Sequence, residues 1–260
     1  MTVFPQLGSG ALSQFPVRKV RRCRTVVNAA ADGSSIKLAD PAGGSLEWQL
    51  NYIGLSDVEL GNLQQFFITA EGGLNGFTFL DPSGNLLAWS EALNNSAWQT
   101  APLLALSSGV ADPTGGSNGW HLANSGAGQQ SITQTLNAPG AYVYSFSVYV
   151  KAGQATTVTL LAGNQQAAHL ATTNWSRLTL TATGDASASS IAFGVEIPGS
   201  AAVDVFGPQA EAQPAASVYQ TGTTGGVYEG ARFRDDTFSY TTTDLGRHSA
   251  TVNIYYADHL

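Results

Sequence analysis

The sequence predicts a mainly β protein, in which a β-sandwich with one flanking helix is interrupted by a β jelly roll. Many short runs alternate between apolar and polar residues, turn-forming residues separate the runs, and a single segment has helical spacing. The 260 residues suffice for one large β domain or two ordinary ones. Hydrophobic residues make up 43% of the chain and charged residues 11%, which excludes a disordered chain.

The charges are distributed unevenly, which indicates two domains. Residues 84–222 contain two bases and six acids, whereas residues 1–83 and 223–260 together contain nine bases and twelve acids. Turn-forming sequences mark both borders, at 81–84 and at 221–226. We therefore expect residues 1–83 plus 223–260 to form one discontinuous sandwich-and-helix domain. We expect residues 84–222 to form the inserted jelly roll. An insertion at these borders is plausible, because exposed turns tolerate insertions.

The first outer piece combines strands with the only predicted helix. Residues 46–52 alternate, with Leu46, Trp48, Leu50 and Tyr52 on one face. Asp32-Gly33 predicts a hairpin turn. Ser56 and Glu59 form a capping-box pattern, and apolar residues then recur at helical spacing as far as Ala70. Residues 76–80 predict a further strand.

The remaining pieces are predicted to consist of strands. The last outer piece predicts two of them, one around Phe238 and Tyr240 and one that places Val252, Ile254 and Tyr256 on a shared face. The middle piece predicts an all-β domain. Its longest alternating run, residues 142–151, places Tyr142, Tyr144, Phe146, Val148 and Val150 on its inner face.

The middle piece resembles a jelly-roll module of phage fibres and tail proteins that is similar to carbohydrate-binding modules. The resemblance covers roughly residues 85–221. It is carried, in order, by Asn85-Leu86-Leu87-Ala88-Trp89-Ser90-Glu91 and Trp98, by Asp112–Gly116, by Gln134, by the strand 144–151, by Trp175-Ser176-Arg177, by the run 206–211 and by Ala216-Ser217-Val218-Tyr219. Trp120-His121 departs from the pattern, which expects smaller residues there.

The outer domain resembles phage tail-tube proteins and the first domain of distal tail proteins, through its plan of a β-sandwich with one helix. The resemblance implies a structural component of a phage or phage-like tail that forms a ring at the tail tip. It implies a homo-oligomeric ring, with a hexamer favoured over a trimer, that contacts tube, hub and fibre proteins. The jelly roll would project outward and could contact cell-surface glycans. The expected location is the virion tail, after assembly in the host cytoplasm.

A basic run is the first candidate for an intermolecular contact. Five of the eleven bases stand within seven residues, namely Arg18, Lys19, Arg21, Arg22 and Arg24. One interpretation is an inter-subunit arm that pairs with acids of a neighbouring subunit, with Asp235 and Asp236 as candidates, since arginine binds carboxylates in a bidentate manner. A face toward DNA or a substrate and a solvated, loosely ordered arm are the alternatives.

Aromatic residues of the middle piece are the candidates for glycan binding, because aromatic faces stack on sugar rings. Trp98 and Trp175 match the module's pattern and are expected mainly in the core. Trp120 departs from that pattern, so it is the leading candidate. Tyr149, on the outer face of its strand, is the second.

No catalytic residue, metal or cofactor is predicted. The four histidines lack metal-ligand spacing, Cys23 is the only cysteine, and Asp235-Asp236 would point to opposite faces of a strand. No nucleotide-binding or hydrolase motif occurs. The net charge of −7 disfavours sequence-specific nucleic-acid binding. No apolar run is long enough for membrane insertion, and the N-terminus has no signal-peptide pattern.

Three alternatives to the ring protein stay open. The first is a receptor-binding adhesin, in which the jelly roll performs the main function. The second is a tail-tube or adaptor subunit with a decorating domain. The third is a glycosidase or other enzyme acting on cell wall, which no acid pair at useful spacing supports.

Overall fold

The computed structural model describes residues 2–258, apart from the side chain of Pro41, so His259 lies outside the described residues. Sixteen strands and one helix occur in this part of the chain, which confirms the mainly β fold class. In chain order, the elements are β1 (Gln14–Ala29), β2 (Ser35–Leu55), α1 (Asp57–Thr69), β3 (Phe77–Leu80), β4 (Gln99–Thr100), β5 (Leu104–Val110), β6 (Gly119–Asn124), β7 (Gln130–Leu136), β8 (Val143–Lys151), β9 (Thr156–Ala162), β10 (Gln165–Ala171), β11 (Ser176–Thr183), β12 (Ile191–Ile197), β13 (Ala202–Glu211), β14 (Val227–Phe233), β15 (Tyr240–Asp244) and β16 (Arg247–Asp258).

The chain divides into two compact units. Within the described residues, unit 1 comprises residues 2–8, 13–79 and 228–258, and unit 2 comprises residues 9–12 and 80–227. The sequence predicts borders at 83/84 and 222/223, and none of its patterns predicts that residues 9–12 group with the middle piece. That residues 1–83 and 223–260 form one discontinuous domain around an inserted jelly roll stays a prediction.

Unit 1 contains one antiparallel sheet of six strands. Their order is β1-β2-β16-β14-β3, and β15 pairs with β16 as well. The predicted inner face of β2 is confirmed, because Leu46, Trp48, Leu50 and Tyr52 are all buried. Val252 and Ile254 of β16 are buried too, and Ile254 lies opposite Trp48 in the register.

The helix begins as its capping box predicts. Ser56 Oγ accepts a hydrogen bond from the backbone N–H of Glu59 at 3.3 Å, and Glu59 Oε2 accepts one from the backbone N–H of Ser56 at 3.0 Å. These hydrogen bonds satisfy donors that have no partner within the helix. The same contact with Ser56 holds the pKa of Glu59 below its usual value. Leu60 and Leu63 form the buried face of the helix.

Unit 2 contains two five-stranded antiparallel sheets. Their orders are β10-β9-β12-β7-β4 and β11-β8-β13-β6-β5. The predicted inner residues of β8, Tyr144 to Val150 at every second position, have no exposed surface. They form the core together with Val158, Leu160, Phe193, Val203 and Val205. The second of these sheets carries the candidate site on its opposite face.

The last outer piece has three strands rather than the two predicted. The additional strand is β14, whose buried residues are Tyr228, Ala231 and Phe233. Gly230, with φ of +82°, interrupts the alternation, so the buried positions are spaced three and then two residues apart. A strict two-residue period therefore does not detect this strand.

Candidate functional site

Polar side chains form a row across the outer face of the sheet β11-β8-β13-β6-β5. In the register, Asp204 of β13 lies opposite Lys151 of β8 on one side and opposite His121 of β6 on the other. Residues directly opposite one another in a sheet project from the same face. Trp175 immediately precedes β11, and its ring centroid lies 4.9 Å from Lys151 Nζ. We call Trp175, Lys151, Asp204 and His121 the polar row.

Asp204 connects the members of this row. Its Oδ1 lies 2.6 Å from His121 Nδ1, and its Oδ2 lies 3.5 Å from Lys151 Nζ. The side chains of His121, Lys151 and Asp204 are 44%, 26% and 21% exposed. The row is thus oriented by its own contacts and still reaches solvent. It offers a ring, a cation, a carboxylate and an imidazole to one ligand.

A cleft of about 820 Å³ adjoins the polar row at Asp204 and His121. Its other walls are residues 153–157, which connect β8 to β9 and begin β9, and residues 198–203, which connect β12 to β13 and begin β13. Ser200, in the second wall, has φ of +58°, a backbone conformation that costs free energy in a residue other than glycine. The cleft is large enough for a small oligosaccharide, since ligand sites commonly measure roughly 300–1,000 Å³.

Tyr149 lies on the same outer face, one row further along the strands. It is opposite Arg177 of β11 and Phe206 of β13. The guanidinium carbon of Arg177 is 5.6 Å from the centroid of the Tyr149 ring. Tyr149 is partly exposed, as its predicted outward position requires. Arg177 covers part of the Tyr149 ring. Tyr149 is therefore a neighbour of the polar row and not one of its members.

Residues 212–221 cover the rest of this outer face, and we call them the strap. Ser145 and Ser147 point outward from β8, yet neither has exposed surface. The strap's backbone satisfies the polar groups around them: Thr181 Oγ1 donates to the carbonyl of Pro214 at 2.8 Å, and Arg177 donates to that of Ser217. Gln209 Oε1 accepts from the backbone N–H of Gln220 at 2.7 Å. The strap leaves the polar row as the open part of the face.

The sequence-based expectation of an exposed ring at Trp120 is corrected by the structure. Trp120 is only 7% exposed, and its Nε1 donates a hydrogen bond to the carbonyl oxygen of Glu91 at 3.0 Å. Successive residues of a strand point to opposite faces. Trp120 therefore points inward, opposite the buried Val205, while His121 points outward into the polar row.

The exposed tryptophan ring of the opening motif is that of Trp89. It is 41% exposed, with φ of +52°. The buried Trp98 donates its Nε1–H to the Trp89 carbonyl at 3.0 Å, as Trp120 does to Glu91. Two tryptophans thus hold one turn in place through their indole N–H groups. Both rings are buried, and each buried indole N–H has an acceptor.

The basic run lies in β1, not in a loosely ordered arm, and Arg21, Arg22 and Arg24 form ion pairs within the same chain. Arg22 Nε donates to Glu47 Oε1 at 2.9 Å, Arg24 pairs with Asp40, and Arg21 pairs with Asp258. The Arg22 contact, with a smaller contribution from Arg234, holds the pKa of Glu47 below its usual value. Lys19 Nζ lies 5.3 Å from the centroid of the Trp48 ring.

The two candidate acids also contact their own chain. Asp235 Oδ2 accepts a hydrogen bond from Asn253 Nδ2 at 3.0 Å, and Asp236 Oδ1 accepts one from the backbone N–H of Gly73 at 2.9 Å. Arg18 and Asp235 line the same cavity of about 290 Å³. An inter-subunit role for the basic run and these acids stays a prediction.

Two further observations concern residues 2–258 only. They contain no group of three or more His, Cys, Asp or Glu side chains that could hold a metal ion. None of the helical structure in this part of the chain has the length and apolar character of a membrane span.

Sequence reasoning missed most of the polar row. The alternation of residues 142–151 predicts an outward Lys151, but the resemblance favours the core for Trp175, and no sequence pattern connects Asp204 with His121. The available signal was the alternation within each strand, which places Lys151 outward and His121 opposite in direction to Trp120. Which strands are neighbours, and in which register, is not visible in that alternation.

Comparison with known proteins gives distant structural likenesses. No protein-family model matches the chain, and no curated protein matches it. Among solved structures, the enzymatically active domain of bacteriophage CBA120 tailspike protein 4 is 13% identical with a TM-score of 0.40, over 51% of this chain and 22% of that one. A family 61 carbohydrate-binding module in complex with β-1,4-galactotriose is 12% identical with a TM-score of 0.39, over 49% of this chain and 98% of that one.

A xylan-binding family 22 module from Paenibacillus barcinonensis Xyn10C is similar to the same extent. It is 15% identical with a TM-score of 0.39, over 54% of this chain and 95% of that one. The chain spans about a fifth of the tailspike chain, 22%. Because all three TM-scores are below 0.5, nothing about the function of this chain is concluded from these likenesses.

Proposed function

We propose that unit 2 binds a glycan at the polar row. The observation that carries the proposal is the alignment of Trp175, Lys151, Asp204 and His121 on one open sheet face beside a cleft of about 820 Å³. An aromatic ring stacks on the C–H face of a sugar, and a carboxylate, an ammonium and an imidazole exchange hydrogen bonds with its hydroxyl groups. Asp204 fixes both neighbours, which reduces the entropy lost on binding.

The strap favours this part of the face over the remainder. Beneath residues 212–221, several hydrogen-bonding groups of the outer face already have partners in the chain: Thr181 bonds the carbonyl of Pro214, and Gln209 bonds the backbone N–H of Gln220. A ligand there would have to displace those bonds. At the polar row, the side chain of His121 is 44% exposed and is free to meet a ligand without such a loss.

A titration of the intact protein against a panel of oligosaccharides tests glycan binding. We expect at least one saccharide to bind and Trp175→Ala to weaken its binding severalfold, because the substitution removes the aromatic face on which the sugar ring stacks. Trp89→Ala is the matched control, since it removes a tryptophan that is exposed elsewhere in unit 2. Equal loss in both variants, or no binding by the unaltered protein to any sugar, would contradict the proposal.

We further propose that the chain is a non-enzymatic structural component of a phage or phage-like tail, located in the virion, in which unit 1 forms a homo-oligomeric ring. The resemblance of residues 85–221 to phage fibre modules supports the setting. In unit 1, the hairpin of β1 and β2 supports self-assembly, because residues 21–39 are exposed throughout although they form regular strands. A two-stranded hairpin without a packed face is only marginally stable in water.

One face of that hairpin carries three exposed apolar side chains. Val26 lies opposite Leu38, and Asn28 lies opposite Ile36, so these side chains share a face. Val26, Leu38 and Ile36 are 39%, 50% and 63% exposed. A second subunit packed on this face would bury them, and an exposed strand edge at β1 would allow further pairing.

The mass of the protein in solution, measured by light scattering, tests this assembly. We expect a ring, with a hexamer favoured, that dissociates when Ile36 and Leu38 are both replaced by lysine. Val58→Lys is the control, because Val58 is 71% exposed on α1, outside the hairpin. A monomer at every concentration would favour the receptor-binding adhesin, in which the glycan site is the main function.

A further inference from the structure

The bases of unit 2 lie on one sheet face, one in the polar row and one in the neighbouring row. Residues 80–227 contain seven acids but only two bases, Lys151 and Arg177. The two bases lie on adjacent strands and on the same outer face, since Arg177 is opposite Tyr149 and Lys151 follows two residues later on that face. An otherwise acidic part of the chain thus places both of its permanent positive charges at one spot.

Two acids share the outer face with these two bases, so the formal charges of the four groups cancel, and the arrangement of the groups decides what a ligand meets. Asp204 offsets Lys151, from which it is 3.5 Å away. Glu211 shares the outer face, but it is only 7% exposed and accepts a hydrogen bond from the backbone N–H of Ser217 in the strap at 3.0 Å. The guanidinium of Arg177 donates to Ser147 Oγ at 2.8 Å and to the carbonyl of Ser217. In the part of the chain that the structure describes, Arg177 forms no ion pair.

The hydrogen-bonding groups of the polar row fit an anion beside a sugar ring. Lys151 is an ammonium with three donors, of which Asp204 and the Trp175 ring leave at least one for a ligand. His121 contacts Asp204 through Nδ1, so its Nε2 is available on the cleft side. A ligand with a carboxylate on its ring can place the ring on Trp175 and the carboxylate beside Lys151, within the field of Arg177.

We propose that the polar row selects an acidic sugar, a hexuronic acid residue, over its neutral counterpart. This inference rests on the glycan binding proposed above and names its ligand class. Lys151 is the specificity-determining residue. Asp204 contacts both Lys151 and His121 and positions the two side chains. The carboxylate of the sugar forms an ion-paired hydrogen bond to Lys151, whereas an ester or a hydroxymethyl group can accept a hydrogen bond there but forms no ion pair.

Titration of the intact protein with trigalacturonic acid and with its methyl ester tests the inference. The two ligands share ring and linkage and differ at the carboxyl groups, which are charged in the acid and neutral methyl esters in the other ligand. We expect the acid to bind at least tenfold more tightly than the ester. We also expect Lys151→Gln to remove that difference, whereas Lys37→Gln, a lysine change in the hairpin of unit 1, leaves it unchanged.

A salt series with the unaltered protein gives a second measurement that does not depend on any variant folding. Raising the salt from about 50 mM to about 300 mM should weaken binding of the acid severalfold and leave the ester unaffected, because only the acid's contact is screened. Equal affinities for the two sugars would overturn the acidic preference while glycan binding stands. If neither sugar binds, the inference fails, and the oligosaccharide panel then decides whether glycan binding fails with it.

Discussion

At the scale of single residues, Trp120 and His121 are neighbours in β6 whose side chains point to opposite faces of the sheet. Trp120 points inward and bonds the Glu91 carbonyl, whereas His121 points outward and contacts Asp204. From the sequence, Trp120 is the leading candidate for glycan binding, because aromatic rings stack on sugars. The structure gives the accessible position to its smaller neighbour instead.

We expect Trp120→Phe to destabilise unit 2 by about 1–2 kcal/mol and to leave glycan binding unchanged. The substitution keeps most of the buried apolar surface but leaves the Glu91 carbonyl without its indole donor. Chemical denaturation and a binding titration measure the two effects. Loss of binding with unchanged stability would return Trp120 to the site.

Asp112 stabilises its loop as a carboxylate. Its Oδ1 accepts hydrogen bonds from the backbone N–H of Thr114 at 2.8 Å and of Gly116 at 3.1 Å, and its Oδ2 accepts one from Asn118 at 3.0 Å. The Thr114 hydroxyl also donates to it, and these bonds lower the pKa of Asp112 to about 2. The charged form is therefore preferred in the folded state.

We expect Asp112→Asn to destabilise unit 2 by about 1–2 kcal/mol at neutral pH. Because the folded pKa lies below the unfolded value, this stabilisation is complete above about pH 4 and is lost as the pH falls toward 2. Urea denaturation at pH 7 and near pH 2 should show the variant's deficit at the first pH and little of it at the second. Asp185→Asn, whose carboxylate bonds only Ser187, should cost less. A deficit that does not change with pH would contradict this account.

At the scale of elements, short sequence patterns predicted the features that depend on interactions between residues close in the chain. The capping box at Ser56 and the alternation of β2 and β8 each act within a few residues, and each is confirmed. β14 was missed because Gly230 breaks its period. The polar row could not be predicted as a unit, because its residues come from different strands whose register depends on the whole sheet.

We expect Ser56→Ala to lower the free energy of unfolding of unit 1 by about 1 kcal/mol, since it removes the N-cap acceptor of the only described helix. Val58→Ala, at an exposed position of the same helix, should change it little. Denaturant midpoints followed by helical circular dichroism compare the two. An effect of Ser56→Ala no larger than that of the control would mean that packing alone determines this end of the helix.

At the scale of the whole molecule, the uneven charge distribution in the sequence corresponds to chemically different surfaces. The basic run of unit 1 forms ion pairs that join β1 to β2 and β16. In unit 2, the two bases Lys151 and Arg177 lie on the same face of one sheet. Low charge elsewhere in unit 2 is compatible with a surface of serine, threonine and glycine. The composition predicted this division, but it did not predict that residues 9–12 group with unit 2.

Replacing residues 84–222 with a short Gly/Ser linker tests the discontinuous domain. We expect the remainder to keep strand and helix content, because the six-stranded sheet is formed by residues outside the deleted segment. Circular dichroism and a cooperative thermal transition would measure this. An unfolded remainder would contradict the discontinuous-domain hypothesis.

The central claim is that a glycan binds at the polar row, and the indole N–H signals test it most directly. The chain has five tryptophans, so a nitrogen–proton correlation spectrum contains five indole signals that substitutions can assign. During titration with each sugar of the oligosaccharide panel, trigalacturonic acid included, we predict that a binding sugar shifts the Trp175 signal while those of the buried Trp48, Trp98 and Trp120 stay in place. A shift of Trp89 with Trp175 unmoved, or five unmoved signals at saturating sugar, would contradict the account.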